Sequence, residues 1–303
     1  MVWQGAAVRS LDAAAVAALG PAGAVRAITD ALRGGLDPAT DPPRAAVDLS
    51  HGQFLLMPSE VPAAAGVKVV TVAPDNPARG LPRIQAVYLL FDRETLALRA
   101  VLDGTALTTL RTPAVSVAAV LPALPDRPLR VAVVGAGPQA VGHVATLAAV
   151  RPLAGATHLV RDPSRTPLAA VRLGSADADE ALQAADVVVC ATSARAPLFD
   201  SSLLRDDVVV VAVGSHEPDA RELDAPLLGR ATVVVEDVAT ALREAGDVVL
   251  AIAEGALTAA DLVPVRDLVT GEVPPPDDRP LVFKSVGMSW QDLVVAEAVV
   301  GSG

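Results

Sequence analysis

The sequence predicts an α/β protein: a doubly wound parallel sheet in the second half of the chain, joined to a separate α+β domain in the first. Three observations predict it. From residue 130 onward, short Val-rich runs alternate with Ala- and Leu-rich helical stretches, the rhythm of buried parallel strands and crossover helices. One of those runs, "RVAVVGAGPQA" at 130–140, passes directly into a glycine turn and a helix. Before residue 122 the pattern differs: short apolar runs broken by Pro, Gly and Asp follow one another directly, as in a mostly antiparallel sheet.

Taken in order, "DAAAVAALGPAGAVRAITDALRGG" (12–35) has helical spacing and stops at Gly34-Gly35. "RAAVDL", "GQFLLMP", "GVKVVTVAP", "RIQAVYLLFD" and "ALRAVLDG" read as strands. "TALTTLRTPAVSVAAVLPAL" reads as a helix from Thr105, with Pro113 at a kink or at the start of a second helix. "PALPDRPLR" (122–130), with three prolines and three charges, is the linker. The pieces "THLV", "DEALQAADVVVCATS", "DDVVVVAVGS" and "ATVVVEDV" continue the α/β rhythm to the turn-rich "TGEVPPPDDRP". "LVFKSVGMSWQDLVVAEAVV" closes the chain as strand, glycine turn and helix. The expected division is residues 1–121, completed by 284–303, and residues 122–283.

Composition narrows the function classes. Of 303 residues, 52% are apolar but only 2% aromatic, and 24 basic against 35 acidic residues leave a net charge of −11. An acidic chain with no basic run is a poor partner for nucleic acid or an anionic membrane. The single cysteine, Cys190, excludes an internal disulfide and any multi-cysteine metal site. Its setting in "DVVVCATS" reads as a packed thiol. The first thirty residues carry acids and no compact apolar core of an export signal. The uncharged window Val131–Val150 contains Gly135, Gly137, Pro138, Gln139, Gly142 and His143, which suits strand, turn and helix rather than a membrane span. The expectation is a cytoplasmic protein without a membrane segment.

Gly135-x-Gly137-x-x-Ala140 follows a strand and opens a helix. Gly135 permits the tight turn, Gly137 the approach of a pyrophosphate, and Ala140 close helix–strand packing, while the helix N-terminus offers free N–H groups. In its α/β context this is a Rossmann dinucleotide site. At the end of the second strand, an acid would hold a ribose 2′-hydroxyl and a base a 2′-phosphate. Arg161 and Arg165 favour NADP over NAD, with Asp162 as the counter-argument. Ala136, Pro138 and Gln139 in the turn, Ala191 and Thr192 after "DVVVC", Val213 and Gly214 after "DDVVVVA", and Lys284 and Gly287 in the tail complete the expected cofactor set. Of the histidines, His143 belongs to the helix after the glycine turn, His158 to the second strand and His51 to a turn. No pair has metal-ligand spacing, and no nucleophile elbow is present; neither a catalytic metal nor a covalent nucleophile is expected. Asp219, Glu222 and Asp224 read as helix-capping and loop-orienting acids.

Only two of the basic residues are lysines, Lys68 and Lys284, and Lys68 interrupts the apolar run "VKVV". A lysine kept in a chain that prefers arginine points to a role that arginine does not fill. The stretches "PPRAAVDL", "LLMP", "GVKVVTVAPDNPARGLP", "LFDRETLALRAVLDGTALTTLRTPAVSVAA", "VAVVGAGPQA", "VGSHEPDARELD" and "VFKSVGMSWQDLVVAEA" make the chain similar, over nearly all its length, to the ornithine cyclodeaminase/mu-crystallin family. The resemblance implies an NAD(P)-dependent, typically homodimeric enzyme acting on a small α-amino or α-imino acid. The first domain, to which the last helix returns, would hold substrate and dimer contacts. It also implies that Lys68 and Arg111 clamp the substrate carboxylate with help from Arg44, a charge arrangement that suits one carboxylate. Gln85 falls where the family has a substrate-contacting threonine. His216 falls where family cyclodeaminases carry an aspartate that assists proton transfer. An imidazole there can donate to an imine nitrogen. The expected catalytic residues are thus Lys68, Arg111 and His216. The expected reaction is reduction of pyrroline-2-carboxylate or piperideine-2-carboxylate. Ornithine cyclodeamination is the alternative, followed by alanine-type dehydrogenation or non-catalytic NADP binding.

Overall fold

The structure is a computed structural model and describes residues 7–302. In chain order its elements are β1 (Arg9–Leu11), α1 (Ala13–Ala17), α2 (Gly20–Arg33), β2 (Ala45–Leu49), β3 (Gly52–Val61), β4 (Ala64–Val72), β5 (Ile84–Asp92), β6 (Leu98–Asp103) and α3 (Gly104–Val120). There follow β7 (Leu129–Val134), α4 (Pro138–Val150), β8 (Leu153–Val160), β9 (Ala170–Arg172), α5 (Ala176–Ala184), β10 (Val187–Cys190), β11 (Val209–Ala212) and α6 (Ala225–Arg230). The chain ends with β12 (Thr232–Val235), α7 (Val238–Glu244), α8 (Gly246–Ala253), β13 (Leu262–Pro264), α9 (Val265–Thr270), β14 (Leu281–Lys284) and α10 (Ser289–Gly301). Two compact units result: Met1–Thr112 with Met288–Gly303, and Pro113–Gly287.

The first unit is a six-stranded sheet in the order β1-β6-β5-β4-β3-β2, antiparallel except for the short parallel pair β1–β6. Successive residues of a strand face opposite sides, so one face is the row Met57, Lys68 and Tyr88, aligned in register and all buried. Against β3, β4 and β5 packs α10, which also packs on α2. The single helix expected over 12–35 is instead two, because Gly20 adopts a left-handed φ of 70° and Pro21 starts the second.

The second unit is an eight-stranded, wholly parallel sheet in the order β13-β12-β14-β11-β10-β7-β8-β9. Uninterrupted valine in β10 and β11 is what a doubly covered parallel sheet requires. The chain runs outward from β7 through β8 to β9, then returns to the other side of β7 with β10. That reversal creates the switch point outside the carboxyl ends of β7 and β10, where such sheets take ligands. The last strand, β14, is inserted between β11 and β12.

The division differs from the expected one at both crossings. Helix α3 continues through Pro113 without ending, so the chain changes unit inside a helix and not at 122–130. Its second half belongs to the parallel unit, where Ser116 Oγ lies 2.9 Å from His143 Nε2. The return crossing falls after Gly287 rather than before Lys284, because β14 pairs with β11 and β12. The Gly104–Ala123 stretch is long and apolar enough to span a bilayer, yet most of it is buried in the fold, as in a core helix of a globular protein.

Candidate active site

In the parallel unit, β7 ends at Val134 and Gly135 turns the chain with φ 129°; a Cβ there would stand 2.6 Å from the Ala191 carbonyl oxygen. Only glycine keeps the two strand ends this close. Gly137 precedes α4, and a Cβ built on it would meet nothing within 4 Å, so backbone N–H groups and the helix N-terminus lie open to an anion. Pro138 occupies the first helical turn, where its missing N–H costs nothing. Ala140 is fully buried beneath the turn. Gln139 accepts a hydrogen bond from His143 Nδ1 through its carbonyl, at 2.7 Å, and burial pushes His143 down to about 4. The imidazole is therefore neutral near pH 7 and acts as a brace for the first turn of α4.

A cavity of about 360 Å³ opens at the switch point, lined by Gly135, Ala136, Arg161, Ala191 and Thr192 among others. Beside it, a second of about 550 Å³ is lined by Ala136, Val160, Arg161, Asp162, Arg165 and Thr166. The Asp162 carboxylate accepts from Ser164 N at 3.1 Å and Ser164 Oγ at 2.7 Å, bonds that hold its pKa below the usual range. Both bonds fall on Oδ1 and fix the orientation of the acid beside the cavity. The open helix terminus, the glycine turn and the paired cavities fit a dinucleotide.

Two expected cofactor residues have other partners. The Lys284 ammonium, wholly buried, donates to the Ser215 carbonyl at 2.6 Å and pairs with Asp247 at 2.9 Å. It is an internal strut. The Gly287 N–H is directed to the Glu236 carboxylate, at 3.1 Å and 3.2 Å, alongside Val286 N and Ser285 Oγ. Thr192 and Gly214, at the ends of β10 and β11, are held together by Glu222, and Val213 N donates to Cys190 O at 3.0 Å. His216 is exposed on the loop that follows. Asp224 caps α6 through Leu227 N.

In the first unit, Lys68 and Arg111 come together, although they stand 43 positions apart in the sequence. Both are buried and both converge on one carboxylate, Asp292: Lys68 Nζ at 2.7 Å and Arg111 Nε at 3.3 Å. Lys68 also donates to Thr108 Oγ1 at 3.3 Å, and Arg111 to Gln291 Oε1 at 2.6 Å. Burial, with Arg111 and Arg44 adding like charge, brings Lys68 down to about 8 against the opposing pull of Asp292. Arg44 therefore shares the electrostatic neighbourhood. Gln85 does not join the cluster. It is exposed and pairs with Thr71, three residues from the Lys68–Tyr88 pair. That odd offset turns its side chain to the opposite sheet face.

Sequence reasoning missed three residues at this end. Asp292 and Gln291 are fully buried polar groups in the first turn of α10, and such groups persist only when paired. Asp41 accepts from Ser59 Oγ at 2.6 Å and from Trp290 N at 2.9 Å, and so anchors the start of that helix; burial lifts its carboxyl to about 6. The available signal was "SWQD", an amide and an acid heading a terminal helix whose remainder is apolar but for Glu297.

Lys68 gives a pH expectation. Its ammonium is present below about pH 8 and lost above it, so kcat/KM for an anionic substrate stays level to about 8 and then declines. The stability contribution runs the other way. Between about 8 and the unfolded value of 10.5 the unfolded chain binds more protons, so this group's penalty on the fold shrinks as pH rises. A pH–rate profile beside a pH–melting series checks both slopes.

A sequence profile of the ornithine cyclodeaminase/mu-crystallin family matches residues 19–302. Among relatives, the Delta(1)-pyrroline-2-carboxylate/Delta(1)-piperideine-2-carboxylate reductase of Azospirillum brasilense is 36% identical over 264 residues, covering 83% of this chain and 81% of its own. Among solved structures, Thermococcus litoralis Delta(1)-pyrroline-2-carboxylate reductase in complex with NADH and L-proline matches with a TM-score of 0.85 and 26% identity, over 97% of each chain. An archaeal alanine dehydrogenase dimer with bound NAD also matches, at TM-score 0.85 and 26% identity, over 97% of this chain and 95% of that one. The glycine turn, the buried lysine–arginine pair and these likenesses converge: the chain belongs to the ornithine cyclodeaminase/mu-crystallin family.

Proposed function

We propose that the protein is an NAD(P)H-dependent reductase that converts pyrroline-2-carboxylate or piperideine-2-carboxylate to proline or pipecolate. The observation that carries this reading is the charge balance around Lys68. Two cations, Lys68 and Arg111, converge on the single carboxylate of Asp292, with Arg44 adding like charge, which leaves positive charge for a substrate carboxylate. Arg111 presents a planar fork and Lys68 a point charge, and together they orient the imine carbon. The nicotinamide, when bound, supplies hydride to that carbon. His216, or a water it holds, relays the proton to the imine nitrogen. The relative from Azospirillum is named for both ring sizes, and the Thermococcus structure holds NADH and proline. Ornithine would bring a second cation, and here a histidine stands where family cyclodeaminases carry an aspartate.

Arg161, Arg165 and Thr166 around the second cavity, with Asp162 bonded to Ser164, support a 2′-phosphate and hence NADP. The sheet face opposite Lys68 supports a homodimer. It carries Leu56, Val69, Val87 and Leu89, and Val47 and Phe54 on it are 44% and 37% exposed. An apolar sheet face of this kind suits a self-complementary two-fold contact.

The test is a comparison of substrates with the purified protein. Pyrroline-2-carboxylate is expected to oxidise NADPH faster than NADH, with proline as product. Ornithine with catalytic NAD is expected to release no ammonia. Ammonia and proline from ornithine would establish the cyclodeaminase reading, and NADH formed from alanine a dehydrogenase. NADPH bound without turnover on any of them would leave a binding protein.

A further inference from the structure

Beneath the loops that follow β10 and β11 lies a buried set of charges separate from the substrate cluster. Glu222, fully buried, accepts from Thr192 N at 2.8 Å, Thr192 Oγ1 at 2.7 Å and Gly214 N at 2.7 Å. Its own N–H and that of Leu223 donate to Asp247 Oδ1, each at 2.8 Å. The other oxygen of Asp247 pairs with Lys284, which in turn holds the Ser215 carbonyl. A Cβ at Gly214 would fall 2.0 Å from the Thr192 carbonyl oxygen and 2.5 Å from Glu222 Oε1, so the two loops touch at this carboxylate.

The charges do not cancel. Lys284 offsets one carboxylate, and Glu222 leaves a net single negative charge in the interior. Each Glu222 oxygen receives a backbone N–H, Thr192 N on Oε1 and Gly214 N on Oε2, an arrangement that favours the carboxylate form, while burial raises its pKa. An uncompensated buried charge is costly unless hydrogen-bonded, and here it sits at the carboxyl ends of β10, which borders the switch point where a parallel sheet receives its ligand, and of its neighbour β11.

We propose that Glu222 and Asp247 form an anionic brace that positions the loops after β10 and β11 for the nicotinamide half of the dinucleotide and, through its net charge, favours the oxidised, cationic ring over the reduced, neutral one. This rests on the dinucleotide-dependent reading above. A site that holds the oxidised ring more tightly assists hydride departure from the reduced form, the direction a reductase needs. Both are positioning residues, since neither is placed against substrate.

The experiment is a binding measurement without substrate. NADPH is titrated by fluorescence and NADP⁺ by competition, on the wild type, E222Q, D247N and E222D. Removing one unit charge from a site with an effective dielectric constant near 20 is expected to shift the ratio Kd(NADP⁺)/Kd(NADPH) upward by about 5–30-fold in E222Q and D247N. E222D keeps the charge but not the reach, so both affinities fall and the ratio holds. Equal weakening of both forms in E222Q and D247N overturns the proposal and leaves only a scaffold. Either folded charge variant decides the matter alone. Should neither fold, K284M decides: losing the cation that offsets Asp247 deepens the negative charge, so a fall in the ratio supports the brace and an unchanged ratio overturns it. If the wild type binds neither form, the dinucleotide reading itself fails, an outcome distinct from an unchanged ratio.

Discussion

Lys68→Met lowers kcat/KM toward a cyclic ketimine carboxylate by about 10²–10³-fold, with NADPH affinity unchanged. Methionine matches much of the lysine's volume, so the packing of β4 under α10 is retained. What disappears is the ammonium, 2.7 Å from Asp292. Truncating one partner of a buried, hydrogen-bonded charge pair costs about 2–5 kcal/mol, part of it the burden of the charge left behind. Here the remaining carboxylate would face the incoming substrate anion with Arg111, at 3.3 Å, as its paired cation. Steady-state kinetics with pyrroline-2-carboxylate, paired with an NADPH titration, measure the two quantities separately. A variant with wild-type kcat/KM would remove Lys68 from the carboxylate site.

Asp292→Asn is expected to be the more damaging change to the fold. Asp292 is fully buried and stands between two cations. Its neutralisation leaves Lys68 and Arg111 repelling each other in the interior, a situation that costs about 3–5 kcal/mol. Lys68 has an escape that Arg111 lacks, since it can lose its proton. Asp292 is the main influence holding the Lys68 pKa up against burial. Without it, the alkaline limit on activity moves from about pH 8 toward lower pH. The stability loss also narrows as pH rises and Lys68 becomes neutral. Urea unfolding at two pH values, with a pH–rate profile, reads both effects. An alkaline limit that stayed in place would show that Lys68 does not set it.

Much of this architecture is legible in the sequence because local rules specify it. "VAVVGAGPQA" states strand, turn and helix in ten residues, and unbroken valine runs announce a parallel sheet. The oddity of Lys68 is also local: one ammonium in an apolar strand of an arginine-using chain. What sequence reading lost are pairings fixed by distant chain. Asp292 lies 224 positions from Lys68, and nothing near either residue names the other. Gln85 was misplaced because the side of a strand depends on register, and a three-residue offset from Tyr88 reverses it. Lys284 resembled a ligand-facing lysine at a strand end until Asp247 and Ser215 engaged its ammonium. Pro113 reads as a kink or the start of a second helix; no second helix starts there, and with residues 114–120 buried one helix runs through it.

The late position of β14 and α10 gives the order of synthesis a part in folding. β14 is an interior strand of the parallel sheet, and α10 packs against β3, β4 and β5 of the other one. Translation proceeds at about 5–20 residues per second, so for most of its time on the ribosome the nascent chain lacks both closing pieces. A polypeptide halted at residue 280 would hold its buried lysine and arginine without their shared counter-ion and expose the edges of β11 and β12. Each unit thus waits for its own closing piece, the parallel sheet for β14 and the antiparallel one for α10.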